Sequence, residues 1–283
     1  MNFAFLTGHE SFYPREGWLT KGLTSLAERP EIFASANIIK AIDTLGIGAN
    51  MVKSLRYWLL YFKLAEIIER GQKLQLSELG NAILKHDPFI QHKSTLWILH
   101  INSINNAPLW NICCKSSEMQ GYSKDYLLKK LESLVKSESD KNYSNKTCAS
   151  YIEVFINTYI RTPSLDVEGN LQSPLSRLKL LNYNNKEISF RSINTEDIDP
   201  LLILYILFSK DLVYENGIDL ESAYNECRSF ARMDLTSFRN WLRELERNNF
   251  IKIDRAAGLN MIYTTKKITY SDIINKLLRL NNE

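Results

Sequence analysis

The chain has 283 residues, 45% hydrophobic and 24% charged, with a formal net charge of +3. That is too apolar for a disordered segment, and the length accommodates one large domain or two to three small ones. No apolar run approaches the ~18–20 residues that cross a bilayer, and Met1–Phe5 lacks the basic and long apolar regions of a signal peptide, so a cytoplasmic protein with no membrane partner is expected.

The first distinctive stretch is "TGHESFYPREGWLTKG", Thr7–Gly22, which gathers His9, Glu10, Arg15, Glu16 and Lys21 between Gly, Pro and Trp residues. Two readings are open. It is a catalytic or phosphate-binding loop, or it is an arm that Phe5, Phe12 and Trp18 anchor to the core while its charges pair with one another.

Residues 31–45 follow helical periodicity, with Ile32, Phe33, Ala36, Ile39 and Ile42 as the apolar stripe. "LGIG" (Leu45–Gly48) breaks it, and Gly46 is placed to take the positive φ that ends a helix. A second helix is expected over 49–63, with Met51, Leu55, Trp58, Leu59 and Phe62 on one side. Leu64–Ile68 reads as a strand, residues 69–73 as a polar turn, and "LQLSELGNAIL" as a returning strand and closing helix. Helix, glycine turn, helix and hairpin make the plan of a winged helix-turn-helix.

At 100° per residue, Lys53 lies opposite the apolar side of the second helix, flanked by Asn50, Ser54, Arg56 and Tyr57. Cations suit phosphates, and an amide and a guanidinium suit base edges. An ordinary solvated face carries such residues too; the turn and hairpin argue for DNA independently of the charges.

The middle section reads as helical. "STLWILHINSI" opens on Ser94 as a cap, "SKDYLLKKLESLVKS" on Ser123, and a third helix covers 147–160 after a polar loop at 138–146. "RTPSLDVEGNLQSPL", with Pro163, Gly169 and Pro174, reads as an exposed functional or hinge segment. Pro200–Phe208 is apolar enough for a buried helix. The last third repeats the first plan: a helix over 219–233, the turn "DLTS", a helix with Phe238, Trp241, Leu242 and Leu245 inward, then two strands around "RAAG". Its outward residues, Arg239, Asn240, Arg243, Glu244 and Arg247, mix signs, which favours packing on a partner or the first domain over DNA contact. The expected fold is therefore mainly α with small β-hairpins (α+β). Residues 1–92 form the arm and winged helix-turn-helix, 93–195 a central helical domain, and 196–283 a winged-helix-like domain.

Chemistry-bearing motifs are sparse. Cys113, Cys114, Cys148 and Cys227 show no CxxC spacing, against structural zinc or a disulfide framework and in favour of reduced thiols. His86 and His92 flank a proline-containing loop, and His100, beside Trp97 on an apolar helix, reads as a core histidine held by a hydrogen bond. HExxH, Walker-type and GxSxG motifs are missing. His9 and Glu10 remain: a neutral imidazole beside a carboxylate suits Mg²⁺ or Mn²⁺, or the activation of water for phosphodiester attack, with Arg15 and Lys21 holding the phosphate.

"TGHESFYPREGWLTKG", "LGIGANMVKSLRYWL", "STLWILHIN" and "AAGLNMIY", in this order and spacing, resemble a bacterial family typically encoded beside sulfurtransferases that are themselves similar to phosphoadenylylsulfate reductase. The resemblance covers nearly the whole chain. It implies the nicking subunit of the Ssp single-strand DNA phosphorothioation system of phage defence, which opens one strand so that sulfur replaces a non-bridging oxygen. The partners implied are double-stranded DNA, a cysteine desulfurase, an ATPase and an ATP-pyrophosphatase-type sulfurtransferase. On the matched motifs, His9, Glu10 and Arg15 (with Trp18) are the candidate catalytic residues, and Lys21, Asn50, Lys53, Arg56 and Tyr57 the candidate DNA contacts. A non-catalytic DNA-binding adaptor and a transcriptional regulator are the alternatives.

Overall fold

In the computed structural model, which describes residues 3–68, 73–104, 106–115, 121–161, 172–191, 193, 198–212, 217–255, 260–265 and 268–279, the chain divides into two units, Met1–Ser192 and Ile193–Glu283. It is mainly α-helical with small antiparallel sheets of two or three strands. Among the described residues no helix is long and apolar enough to cross a membrane.

The first unit opens with α1 (Trp18–Glu28), which the sequence reading had folded into the arm. Its Leu19, Leu23 and Leu26 are buried, and it packs on α3 (Ala49–Tyr61). The single helix expected over 31–45 is shorter. A 3₁₀ turn occupies Ser35–Asn37 and α2 runs over Ile38–Leu45. The physical reason is local. Pro30 precedes the segment, and the Glu31 carbonyl accepts both the Ala34 N–H and the Asn37 side-chain amide, so turn bonds replace the helical ones. The expected stripe is broken accordingly: Ile32 and Phe33 are buried, whereas Ile39 is 74% exposed.

Gly46 takes φ +64° and its N–H closes α2 on the Ile42 carbonyl. The strands β1 (Ala65–Ile68) and β2 (Lys73–Leu76) pair antiparallel with Ala65 opposite Leu76, and Ser77 then caps α4 (Glu78–His86). Helix α5 (Lys93–Ile104) is buried on every side, and Ser94 lies inside its first turn rather than capping it. The Asp87 carboxylate fixes the approach to the helix, accepting from the N–H groups of Gln91 and His92 and from the Thr95 hydroxyl. Within α5, His100 meets the Tyr159 hydroxyl at 3.1 Å and Asn102 donates to the Phe62 carbonyl just past α3, at 2.9 Å. The core-histidine expectation holds.

The central section contains more than helices. After α6 (Pro108–Lys115), β3 (Tyr122–Ser123) leads straight into α7 (Lys124–Glu138) and α8 (Asn145–Tyr159), and β4 (Leu181–Asn184) and β5 (Glu187–Phe190) complete a sheet in the order β3-β5-β4. A two-residue strand carries no period, which is why the sequence reading passed over it. The hinge reading of 161–175 falls largely outside the described residues.

The second unit repeats that order. Helix α9 (Leu201–Ser209) is buried along Leu201–Phe208, as its composition demands. Then β6 (Ile218–Asp219) leads into α10 (Leu220–Ala231) and α11 (Leu235–Arg247), and β7 (Ile251–Asp254) and β8 (Met261–Thr264) give a sheet ordered β6-β8-β7 before α12 (Tyr270–Arg279). In both modules the last residue of the short strand caps the next helix: Ser123 accepts from Tyr126 N–H and Asp219 from Ser222 N–H.

Among the described residues, Cys148 and Cys227 are buried free thiols, and burial pushes both thiol pKa values up. The side chains of Cys113 and Cys114 lie outside the described residues.

Ser77 ties the start of α4 to the residues just past α3, because its hydroxyl accepts the Gly80 N–H at 2.9 Å and donates to the Lys63 carbonyl at 2.7 Å. Ser77→Ala should lower unfolding free energy by about 1–2 kcal/mol in urea titrations, with the slope unchanged.

Candidate functional site

The arm turns sharply at the motif. Gly8 has φ +94°, and a Cβ there would stand 3.0 Å from the Tyr57 ring, so the position needs both the backbone freedom and the missing side chain of glycine. Glu10 (φ 48°) and Ser11 (φ 62°) follow in left-handed conformations that side chains rarely adopt, each at a cost of about 1–3 kcal/mol. The surroundings hold them there. The Phe12 N–H returns to the His9 carbonyl at 2.8 Å, and the His9 ring is buried beneath the turn.

Both ring nitrogens of His9 are committed. Nδ1 accepts the Ser11 N–H at 3.0 Å, so the hydrogen-bond network assigns the proton to Nε2, which donates to the Leu6 carbonyl at 3.2 Å. Burial lowers the pKa of the ring and keeps it neutral. His9 as a general base or metal ligand is thereby corrected: its two nitrogens fold the arm.

The Arg15 guanidinium lies against aromatic rings, its carbon 5.5, 5.9 and 5.6 Å from the ring centroids of Phe12, Tyr13 and Trp18. Trp18 is buried at the start of α1.

Three side chains of α3 fasten this arm. Tyr57 donates its hydroxyl proton to the Phe5 carbonyl at 2.7 Å, and the Trp58 indole N–H and the Ser54 hydroxyl reach the Phe12 carbonyl at 3.1 and 3.4 Å. A fourth link joins the Ser11 and Ser150 hydroxyls at 2.9 Å, tying the arm to α8. Tyr57 is only 8% exposed, so its assignment to an outward DNA-reading face is corrected as well; burial and the neighbouring Tyr61 push its hydroxyl pKa well up. Lys21 sits elsewhere, its ammonium donating to the Leu45 carbonyl at the end of α2 at 3.0 Å.

What remains outward is narrow. Asn50 and Lys53 are exposed on α3, and Arg56 is half-buried one turn on. Lys53, Arg56 and Glu10 line one cavity of about 560 Å³ that also has the edge of Tyr57, Ser35 and an apolar wall including Phe33. Burial lowers the Arg56 pKa, yet a guanidinium is so strong a base that it remains cationic at neutral pH. Two cations, one carboxylate and apolar walls give the cleft a net positive charge beside an apolar surface. Phe33 and Ser35 escaped the sequence reading because they were placed inside a helix that the structure breaks. Among the described residues no three His, Cys, Asp or Glu side chains gather as a metal site; of the motif's two carboxylates Glu10 lines the cleft, and Glu16 pairs with Arg177 at 3.4 Å.

Two crystal structures of SspB share this fold at a TM-score of 0.78. One, magnesium ion-bound, is 21% identical in sequence and the other 20%; each likeness covers 97% of this chain and 86% of the other. The sequence also matches the family described as protein of unknown function (DUF4007) over residues 6–278. No curated protein matches it.

The His9 geometry makes the arm acid-sensitive. Its folded pKa lies below the unfolded value near 6.5, so the unfolded chain binds the proton first. Stability is complete above about pH 6.5 and falls as the pH drops through that value towards the folded pKa. Urea midpoints taken from about pH 8 down to about pH 5 should fall more steeply in wild type than in His9→Gln. Parallel profiles would remove His9 from the hold on the arm.

Proposed function

The chain belongs to the DUF4007 family, and from that premise we propose that it is a DNA-binding component of a DNA phosphorothioate-modification and phage-defence system, acting where one strand is nicked for sulfur incorporation. The observation that carries the reading is the cleft in which the motif's Glu10 meets Lys53 and Arg56 of α3, the second helix of a helix-turn-helix followed by a hairpin. The likeness of the fold to SspB supports the same reading. Lys53 and Arg56 neutralise backbone phosphates, Asn50 at the start of α3 reaches a base edge, and the apolar wall accepts sugar or base.

Glu10 is the acid–base group on that cleft, suited to take a proton from an attacking water. Magnesium is bound by one SspB structure. In this chain His9 does not fit as its ligand, because both ring nitrogens hold backbone groups. DNA and the desulfurase, ATPase and sulfurtransferase of the same system are the proposed partners.

A second reading, a docking adaptor whose chemistry belongs to a partner, is favoured by the structural employment of His9 and Arg15. A supercoiled-plasmid assay with magnesium, manganese or chelator separates the two. Glu10→Gln should lower nicking by about 10²-fold or more while duplex affinity stays; nicking untouched by Glu10→Gln would remove the site assignment. No nicking under any metal, with duplex binding intact, would select the adaptor. Lys53→Ala should reduce the slope of log K against log[salt] by about 1, and an unchanged slope would place α3 off the DNA.

A further inference from the structure

We propose that the second unit carries its own phosphate site, in a pocket between α11 and the β7–β8 hairpin, and that it takes a backbone phosphate of duplex DNA. The pocket measures about 220 Å³. Arg239 and Arg243 reach it from the exposed side of α11, Arg255 from one residue past β7 and Asn260 from one residue before β8, over a floor that includes Leu242 and Ile253. The charged residues lining it are three arginines, with no acid among them.

Taken together, the outward residues of α11 mix signs, with Glu244 among the arginines. The acid among them, Glu244, is exposed and does not line the pocket. Glu246 faces the hairpin, where it accepts from Arg255 at 3.0 Å and from the Ile253 N–H at 2.9 Å. Those two bonds hold its carboxyl below the usual range, so it stays ionised and fixes the Arg255 guanidinium at the pocket edge. That pair offsets one charge and leaves the positive charge of Arg239 and Arg243, one helical turn apart on the same face. Arg243 spends one N–H on the Asn240 side chain at 3.1 Å, and a guanidinium has five. Like charges at this spacing repel unless an anion sits between them, and planar guanidinium forks match the paired oxygens of a phosphate.

Size decides between phosphate sources. Pockets for drug-sized ligands run from about 300 to 1,000 Å³, so this one has room for a phosphate and its waters and too little for a whole nucleotide. A phosphate within a longer backbone brings its remaining bulk outside the pocket. Position supports the same source. Arg239 is the fifth residue of α11 as Lys53 is of α3, each an exposed cation on the second helix of a helix–turn–helix–hairpin order. Arg247 at the end of α11 and Lys252 in β7 are further exposed cations of this unit.

This inference rests on the DNA reading above, and one salt titration separates their failures. Full-length protein is titrated onto a short mixed-sequence duplex over a range of salt, as wild type, Lys53→Ala, Arg239→Ala/Arg243→Ala and Arg239→Lys/Arg243→Lys, with sodium triphosphate as a second ligand. Neutralising one phosphate predicts a slope lower by about 0.9 for the double alanine variant and an unchanged slope for the double lysine variant. An unchanged slope in the double alanine variant, with an unaltered thermal melt, overturns the site. Triphosphate binding lost in that variant while the duplex slope stays the same assigns the pocket to a free polyphosphate and overturns the backbone source. A slope moved by the arginine pair and not by Lys53→Ala sinks the reading of α3 and leaves this one standing. Wild-type protein that binds no duplex overturns both.

Discussion

The first unit depends on three side chains of one helix, Ser54, Tyr57 and Trp58, reaching backbone carbonyls of an arm more than forty positions earlier in the chain. An arm of irregular backbone has few internal partners, so its carbonyls must find donors elsewhere or remain in water. Here α3 supplies them from its own buried face. The same helix therefore serves two surfaces: an inward one that ends at the arm, and an outward strip of Asn50 and Lys53 with Arg56 at its edge.

That arrangement explains how a polar motif has so little of its polarity on display. His9 goes under the turn, Arg15 is laid across three aromatic rings, and Glu10, in a left-handed conformation, is left outside. The strain in the turn is tied to that separation, since adjacent residues in an extended strand would also point apart but would not fold His9 back onto its own neighbours. The cleft gains its carboxylate from the arm and its cations from α3, and neither segment forms it alone.

In the second unit the division of labour differs. The hairpin carries an arginine and also receives Glu246, which anchors that arginine, while the exposed Glu244 lies outside the pocket lining. Net charge along a helix is thus a poor guide to the potential at a pocket, because a carboxylate that accepts two hydrogen bonds is spent locally.

Long periodic elements were legible from residues alone: α3, α7 and α11, the buried α9, the αL turn at Gly46, the cap at Ser123 and the hydrogen-bonded core of His100. Their signals are local, in apolar spacing, turn chemistry and capping residues a few positions apart. Less was legible where distant segments decide. Nothing near Tyr122 announces a strand whose partner is Ile188. At the candidate site, the residue types could be read but not their directions. The sequence by itself determined which residues are available to meet a phosphate: Glu10, Asn50, Lys53 and Arg56 in one unit, and arginines along α11 in the other. Only the tertiary structure decided that the His9 ring and Tyr57 turn inward, that Arg15 lies against aromatic rings and Lys21 reaches the end of α2, and that Arg239, Arg243 and Arg255 share a pocket. Hydrogen-bond satisfaction and burial are settled between segments far apart in the chain, and a one-dimensional pattern does not carry that information.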